Sequence, residues 1–296
     1  MTWQQHRQKI TRHPAPRWPA LLCGLITICL LAAPPAGASD DETLNLWIHP
    51  YLPATELIRR FSPLADYLAE ELERPVQIRV QQSYQTHIDL IGRDHADLAF
   101  IGPASYVIMR RQYGHKPLLA MLEENGYPVF QGMIIVREEA PFTSLTDLKG
   151  QSFAFGDPNS TMSYIVPRAM LAQAGVSLDD LARHDFLNSH HDVALAVLGG
   201  YFAAGGVKDE VFYAYQPRGL RALATSPLIP DHLFLTRADL PPALVDRLRE
   251  LLLAINHHPR KLEILKGIKE TVTGLVEAQP ENYDSLEEMM AIFSGD

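Results

Sequence analysis

Ser160, Thr161 and Ser163 stand where an apolar run, Phe153-Ala154-Phe155, passes through the turn Gly156-Asp157-Pro158-Asn159 into a helical pattern starting at Tyr164. Free backbone N–H groups at a helix start carry partial positive charge, and hydroxyls beside them add further donors. Such a corner can hold a phosphate-like oxyanion without any Lys or Arg. The same residue types also serve as a plain helix cap, with no ligand at all. Similar polar residues recur at three more corners. Ser105 and Tyr106 follow Gly102-Pro103-Ala104, His191 lies in Asn188 to Asp192, and Tyr84 precedes a short helical stretch. His191 can offer a neutral N–H or become cationic beside an anion.

The surrounding pattern says what must position these corners. Leu44 to Ile48, Val76 to Val80 and Ala96 to Ile101 read as strands. Between them Leu57 to Leu72 has helical spacing, interrupted by Pro63, and Thr86 to Arg93 is a shorter helix. Strands are expected at Leu118 to Leu122, Gly132 to Val136, Ala203 to Val207, Leu220 to Ala224 and His232 to Leu235. From Pro241 onward the pattern reads as helices, ending in an amphipathic tail through Met289. Alternating strands and helices imply sheets covered by helices. In open α/β sheets ligands sit beyond the carboxyl ends of strands, where all these corners fall.

The chain has 296 residues, comfortable for two α/β lobes. Arg7, Lys9, Arg12 and Arg17 precede an apolar run from Leu21 to Ala33 and then Ala36-Gly37-Ala38. That is the plan of a secretory signal peptide over residues 1–38. The run is short for a spanning helix, so an uncleaved anchor is the lesser alternative. Cleavage after Ala38 would remove four of the 26 basic side chains and none of the 35 acidic ones, leaving a net charge of −13. So acidic a chain argues against nucleic acid as a partner. Both cysteines, Cys23 and Cys29, would leave with the signal segment, so the mature protein would rely on its core rather than on disulfides.

Gly156-Asp157-Pro158-Asn159-Ser160-Thr161, with Val166-Pro167 after it, resembles the phosphonate-binding family of periplasmic substrate-binding proteins, the PhnD-like components of phosphate, phosphite and phosphonate ABC transporters. Asp97 to Pro103, Ser105-Tyr106, His191-Asp192 with Ala194 to Val197, and Ser226 to Pro230 carry the same resemblance, which runs from about Leu44 to about Leu235. It implies a two-lobed α/β protein of periplasmic binding type, with mixed sheets flanked by helices and a ligand cleft between lobes. Lobe one would comprise 39–133 plus 226–296, and lobe two 134–225. Ser160, Thr161 and Ser163 would hold the oxyanion, with Tyr84, His191, Ser105, Tyr106 and Phe130 around it. A monomer is implied, working with an ABC permease of the inner membrane.

The chain departs from the family pattern in three places. Met162 stands where Ser-Thr-Ser-Gly would place a third hydroxyl, Phe130 lies where a tyrosine is common, and no acidic residue occurs at Ala203. A phosphate-, phosphite- or simple phosphonate-like anion is therefore expected rather than an aminophosphonate. No cofactor is expected. His190-His191-Asp192 does not have the spacing of a metal site, since adjacent histidines on a helix diverge. Ser160 lacks the Gly-x-Ser-x-Gly elbow of a hydrolase, so an enzyme is disfavoured. A sensory protein that partners a membrane kinase is the alternative that residues alone do not separate from transport.

Overall fold

In the computed structural model, which describes residues 43–292, the chain forms two mixed sheets, each covered by helices. β1 (Leu44–Ile48), α1 (Ala54–Leu72), β2 (Val76–Val80), α2 (Tyr84–Gly92), β3 (Leu98–Ile101), α3 (Pro103–Tyr113) and β4 (Leu118–Glu124) open the first lobe. The chain then passes through β5 (Val129–Phe130) into the second lobe. That lobe contains β6 (Gly132–Arg137), β7 (Ser152–Phe155), α4 (Val166–Gln173), β8 (Arg183–Phe186), α5 (His190–Leu198), β9 (Ala204–Lys208), α6 (Asp209–Tyr215) and β10 (Leu220–Thr225). It returns through β11 (Ile229–Pro230) to β12 (Leu233–Thr236), α7 (Pro242–Ala254), α8 (Lys261–Ile268), β13 (Val272–Glu277) and α9 (Asp284–Ala291). The signal-peptide segment lies outside the described residues. Among those residues, no helix is long and apolar enough to cross a membrane.

The first sheet runs β13-β4-β12-β3-β1-β2 and the second β10-β6-β9-β7-β8. β1 pairs in parallel with both β2 and β3, while β12 returns antiparallel between β3 and β4. The two crossovers between lobes pair with each other as an antiparallel ribbon, with Ile229 opposite Phe130.

Local chemistry explains most boundaries. Pro63 is accommodated inside one continuous α1. Gly267 of α8 lies against this stretch, where an added Cβ would stand 2.8 Å from the Arg60 carbonyl oxygen. α3 begins at Pro103, because proline at the first helical position gives up only an N–H that has no partner there. The expected all-helical tail is corrected: Val272–Glu277 is an edge strand antiparallel to β4. Its Val-Thr-Gly-Leu-Val run suits a half-buried strand, and pairing with β4 outweighs its weak helical spacing.

Phe61, Phe100 and Phe234 meet at ring-centroid distances of 4.9 Å in the core of the first lobe. Phe153 and Phe155 do the same at 4.6 Å in the second. Burying each such ring stabilises the fold by about 1.5–3 kcal/mol. These cores fix the strand ends from which the site is built.

Candidate functional site

The Ser160 corner is more unusual than a plain cap. Thr161–Ile165 forms a π turn, in which the Ile165 N–H donates to the Ser160 carbonyl at 3.0 Å, ahead of α4. Pro167 has no N–H for the Ser163 carbonyl, and that oxygen instead accepts the Gly156 N–H at 3.1 Å. The turn widens the helix start and is tied back to the end of β7. Asp157 closes the loop before it, accepting the Asn159 N–H on its side chain at 2.8 Å. Burial raises the Asp157 carboxyl above its ordinary range, against the pull of that hydrogen bond.

Ser160 and Thr161 face a small cavity of about 10 Å³, lined also by His49, Tyr51, Tyr84, Phe130, Met162, His190, Lys208 and His232. A second cavity of about 20 Å³ adjoins it through Tyr51, Phe130, Lys208 and His232. Each is large enough for roughly one water-sized group. An open cleft of about 480 Å³ shares Tyr51 and Tyr84 and continues past Asp157, Asn188 and His191.

Both lobes contribute donors. The Thr161 hydroxyl accepts the Ala104 N–H from the start of α3 at 3.0 Å, which leaves its own proton to donate. Ser160 Oγ accepts the Ser163 N–H at 3.3 Å and lies 3.4 Å from His190 Nε2. His190 Nδ1 accepts the Lys208 backbone N–H at 3.1 Å, so the neutral ring carries its proton on Nε2 and points it at the cavity. Burial, reinforced by Lys208, holds the His190 pKa well below its usual value. Burial likewise raises the Tyr84 phenol, with Asp157 adding to the shift and the Ser160 hydroxyl opposing it.

Lys208, at the end of β9, pairs with Glu210 at 2.7 Å and lies 4.2 Å from the Tyr51 ring centroid. Burial opposes ionisation of Glu210, yet Lys208 and then Arg60 overcome it and hold that carboxyl at about 2. A cation therefore does line this pocket, whereas the hydroxyl motif had suggested that none was needed.

On the facing wall His49 follows β1 and His232 precedes β12, the two neighbours of β3. The His49 N–H donates to the Phe100 carbonyl at 3.0 Å, and Leu233 sits opposite Ile101. This register brings both rings to the level of Gly102. A Cβ on Gly102 would stand 3.0 Å from His49 Nε2 and 3.4 Å from His232 Nε2.

Of the residues singled out from sequence, the structure brings Ser160, Thr161, Tyr84 and Phe130 to one cavity. It turns four others away. Ser163 is fully buried inside the second lobe, where its hydroxyl donates to the Gly206 carbonyl at 2.9 Å. Ser105 donates to the Asn159 carbonyl at 3.3 Å. Tyr106 packs edge-on against Tyr283 at 4.9 Å, because a helix starting at Pro103 aims it into the core. His191 faces the outer cleft, 3.4 Å from the Tyr215 hydroxyl, while its neighbour His190 turns inward. Met162 is buried, its sulfur 3.9 Å from Ser226 Oγ at the crossover. His49, Lys208 and His232 went unnoticed as site residues, since each lies at a strand end without a motif of its own. Among the described residues, no group of three or more His, Cys, Asp or Glu is placed to hold a metal ion.

Comparison with known proteins agrees with this architecture. The chain is 26% identical over 228 residues to the phosphate-import protein PhnD of Mycolicibacterium smegmatis, covering 71% of each chain. It is 22% identical over 260 residues to the phosphonates-binding periplasmic protein of Escherichia coli, covering 82% of this chain and 75% of that one. The fold matches that of PhnD1 from Prochlorococcus marinus, solved with methylphosphonate, at a TM-score of 0.78 and 21% identity over 86% of this chain and 99% of the other. Residues 46–283 match the family model described as ABC transporter, phosphonate, periplasmic substrate-binding protein, and the chain belongs to that family.

Proposed function

We propose that this protein captures a small phosphonate-, phosphite- or phosphate-like oxyanion between its lobes and delivers it to an ABC permease of the inner membrane. The observation that carries this reading is the convergence of donors on one small cavity, sized for a single ligand oxygen, beside the open cleft, with Ser160, Thr161, Tyr84 and His190 around it and the Lys208 ammonium at its edge. Hydroxyls and a neutral imidazole can hold a desolvated oxyanion with charge-assisted hydrogen bonds. Phe130 supplies an apolar side against which a small substituent can lie. The lobes are assigned to 39–133 plus 226–296 and to 134–225, joined at the β5–β11 ribbon. The N-terminal 38 residues act as an export signal cleaved after Ala38, and the mature protein works as a monomer.

The test is calorimetry and thermal melting with phosphate, phosphite, methylphosphonate, aminoethylphosphonate and sulfate. A bound oxyanion at a hundredfold excess over Kd stabilises the native state by about 2.7 kcal/mol. At least one phosphorus oxyanion is expected to raise Tm, and Ser160→Ala with Thr161→Ala should abolish the shift. If none binds, or if the double variant keeps the shift, the assignment is wrong.

A further inference from the structure

We propose that the Asp231–His232 pair, with His49 beside it, is a proton-holding wall of the pocket, so that the oxyanion is captured together with one proton. The inference rests on the oxyanion reading above and extends it to the protonation state of the complex.

The geometry fixes the His232 tautomer. Asp231 Oδ1 takes the backbone N–H of His232 at 2.6 Å and lies 2.9 Å from the ring Nδ1. The ring N–H therefore points at a carboxylate, and in the neutral ring Nε2 carries a lone pair. That nitrogen lies beside Gly102, next to His49 Nε2. His190 is held in the opposite tautomer by the Lys208 N–H and donates without any added proton. A lone pair facing an oxyanion repels it. The contact becomes attractive only when one proton lies between them, either on a ligand oxygen that donates to Nε2 or on an imidazolium that donates to the ligand. The two arrangements are tautomers of a single complex.

The charges around the ring favour the same outcome. Lys208 reaches His232 from β9, and Lys269 from the end of α8. Both are already paired, Lys208 with Glu210, and Lys269 with Glu124 and Asp209 at 2.6 and 3.0 Å. Arg60 of α1 shares Glu210 at 3.0 Å. With Asp231 and with Glu56, which also pairs with Arg60 at 2.7 Å, three cations face five carboxylates, so the wall has no spare positive charge for a dianion. His49, His190, Tyr51 and Tyr84, the other titratable groups of the cavity besides Lys208, are neutral when it is empty, because burial lowers both imidazoles and raises both phenols. Burial, then Lys208, pushes the empty-state His232 down to about 3. An incoming dianion opposes the Lys208 field at the ring, and Asp231, fully buried with Oδ2 unpartnered, stabilises the resulting imidazolium.

The experiment is titration calorimetry of the full-length chain with methylphosphonate and with phosphite. Each titration is run in two buffers of different ionisation enthalpy, alkaline enough that both probes are dianions. The wild type should take up about one proton per anion bound, and its affinity should fall roughly tenfold per pH unit in that range. His232→Gln should still bind, with the uptake lost and the pH slope flattened. Asp231→Asn should weaken the slope in the same direction, and thermal melts confirm that each variant is folded. Binding by the wild type without proton uptake overturns the inference while leaving the oxyanion reading intact. Undiminished uptake in a folded His232→Gln protein overturns it as well. If neither anion binds the wild type, the oxyanion reading itself fails and takes the inference with it.

Discussion

The second-lobe wall of the pocket is built at helix starts, from the Ser160 and Thr161 hydroxyls and the single His190 ring, backed by one strand-end lysine. The first-lobe wall is made of rings, His49, Tyr51, Tyr84 and His232, and its histidines stand at strand ends. In the second lobe the polar atoms are held in place by backbone groups: Ser160 by the Ser163 N–H, His190 by the Lys208 N–H. In the first lobe, His49 Nδ1 has no partner and the ring is positioned by packing on its neighbours, 4.2 Å from Tyr84 and 5.9 Å from His232. Donor direction is thus set by main chain on one side, and on the other by ring packing at His49 and by the Asp231 carboxylate at His232. The first kind is rigid and local, whereas ring packing depends on space.

The sharpest way to break that distinction is to remove the space. Gly102→Val places methyl groups among the two Nε2 atoms without straining the backbone, which is extended there at φ −76°. Oxyanion binding should become undetectable by calorimetry while circular dichroism keeps the native helix content. Retained binding would mean that the rings of the first lobe do not face the ligand. Next in size is Lys208→Met. Losing a charged donor costs about 1.5–3 kcal/mol, or roughly ten- to hundredfold in Kd. An unchanged Kd would confine Lys208 to its pair with Glu210.

Acid should act on the buried imidazoles of both walls, His190 as well as His49 and His232, and on His87, whose ring lies 5.5 Å from that of His49. His87 and His232 are pushed down to about 4 and about 3, in both cases chiefly by burial. The unfolded chain takes up protons on these rings from about pH 6.5 downward, and the folded chain resists until its lowered values are reached. Their contribution is therefore full above about pH 6.5 and is lost progressively as pH falls toward 4 and 3. Tm should decline over that window, and His87→Gln should decline less steeply. The smallest effects on affinity are expected from Ser163→Ala and His191→Ala. Ser163→Ala leaves the buried Gly206 carbonyl short of a donor and should cost about 1–3 kcal/mol of stability with Kd unchanged. His191→Ala should change neither Kd nor Tm measurably. A weakened Kd in either variant would reopen the roles assigned to these two corners.

The contrast between the walls also explains what was legible in the sequence. Capping chemistry is local, so Ser160, Thr161 and Tyr84 could be found from a strand end, a turn and a helical pattern. Nothing local distinguishes His49 or His232 from other strand-end histidines. They meet because β1 and β12 flank β3 in the sheet, an order that periodicity does not encode. Choosing between His190 and His191 depended on where α5 begins, and one residue of helix phase decides which ring turns inward. Lys208 lay one residue beyond the expected Ala203 to Val207 strand. The tail strand was missed because Val272–Glu277 pairs with β4, about 150 residues earlier in the chain.

The ribbon of β5 and β11 gives the molecule a mechanical property. Two independent crossovers would let the lobes slide as well as rotate. Here the strands are paired, and their ends are tied where Gly132 donates to Ser226 Oγ at 3.0 Å, Gln131 Nε2 to the Ser226 carbonyl at 2.8 Å, and Ser226 N–H to the Gly132 carbonyl at 2.9 Å. Sliding one strand past the other breaks these bonds, whereas twisting both together keeps them. The ribbon therefore resists sliding more than twisting, and Phe130, one of its paired residues, sits at the junction that a swing of the lobes would turn about.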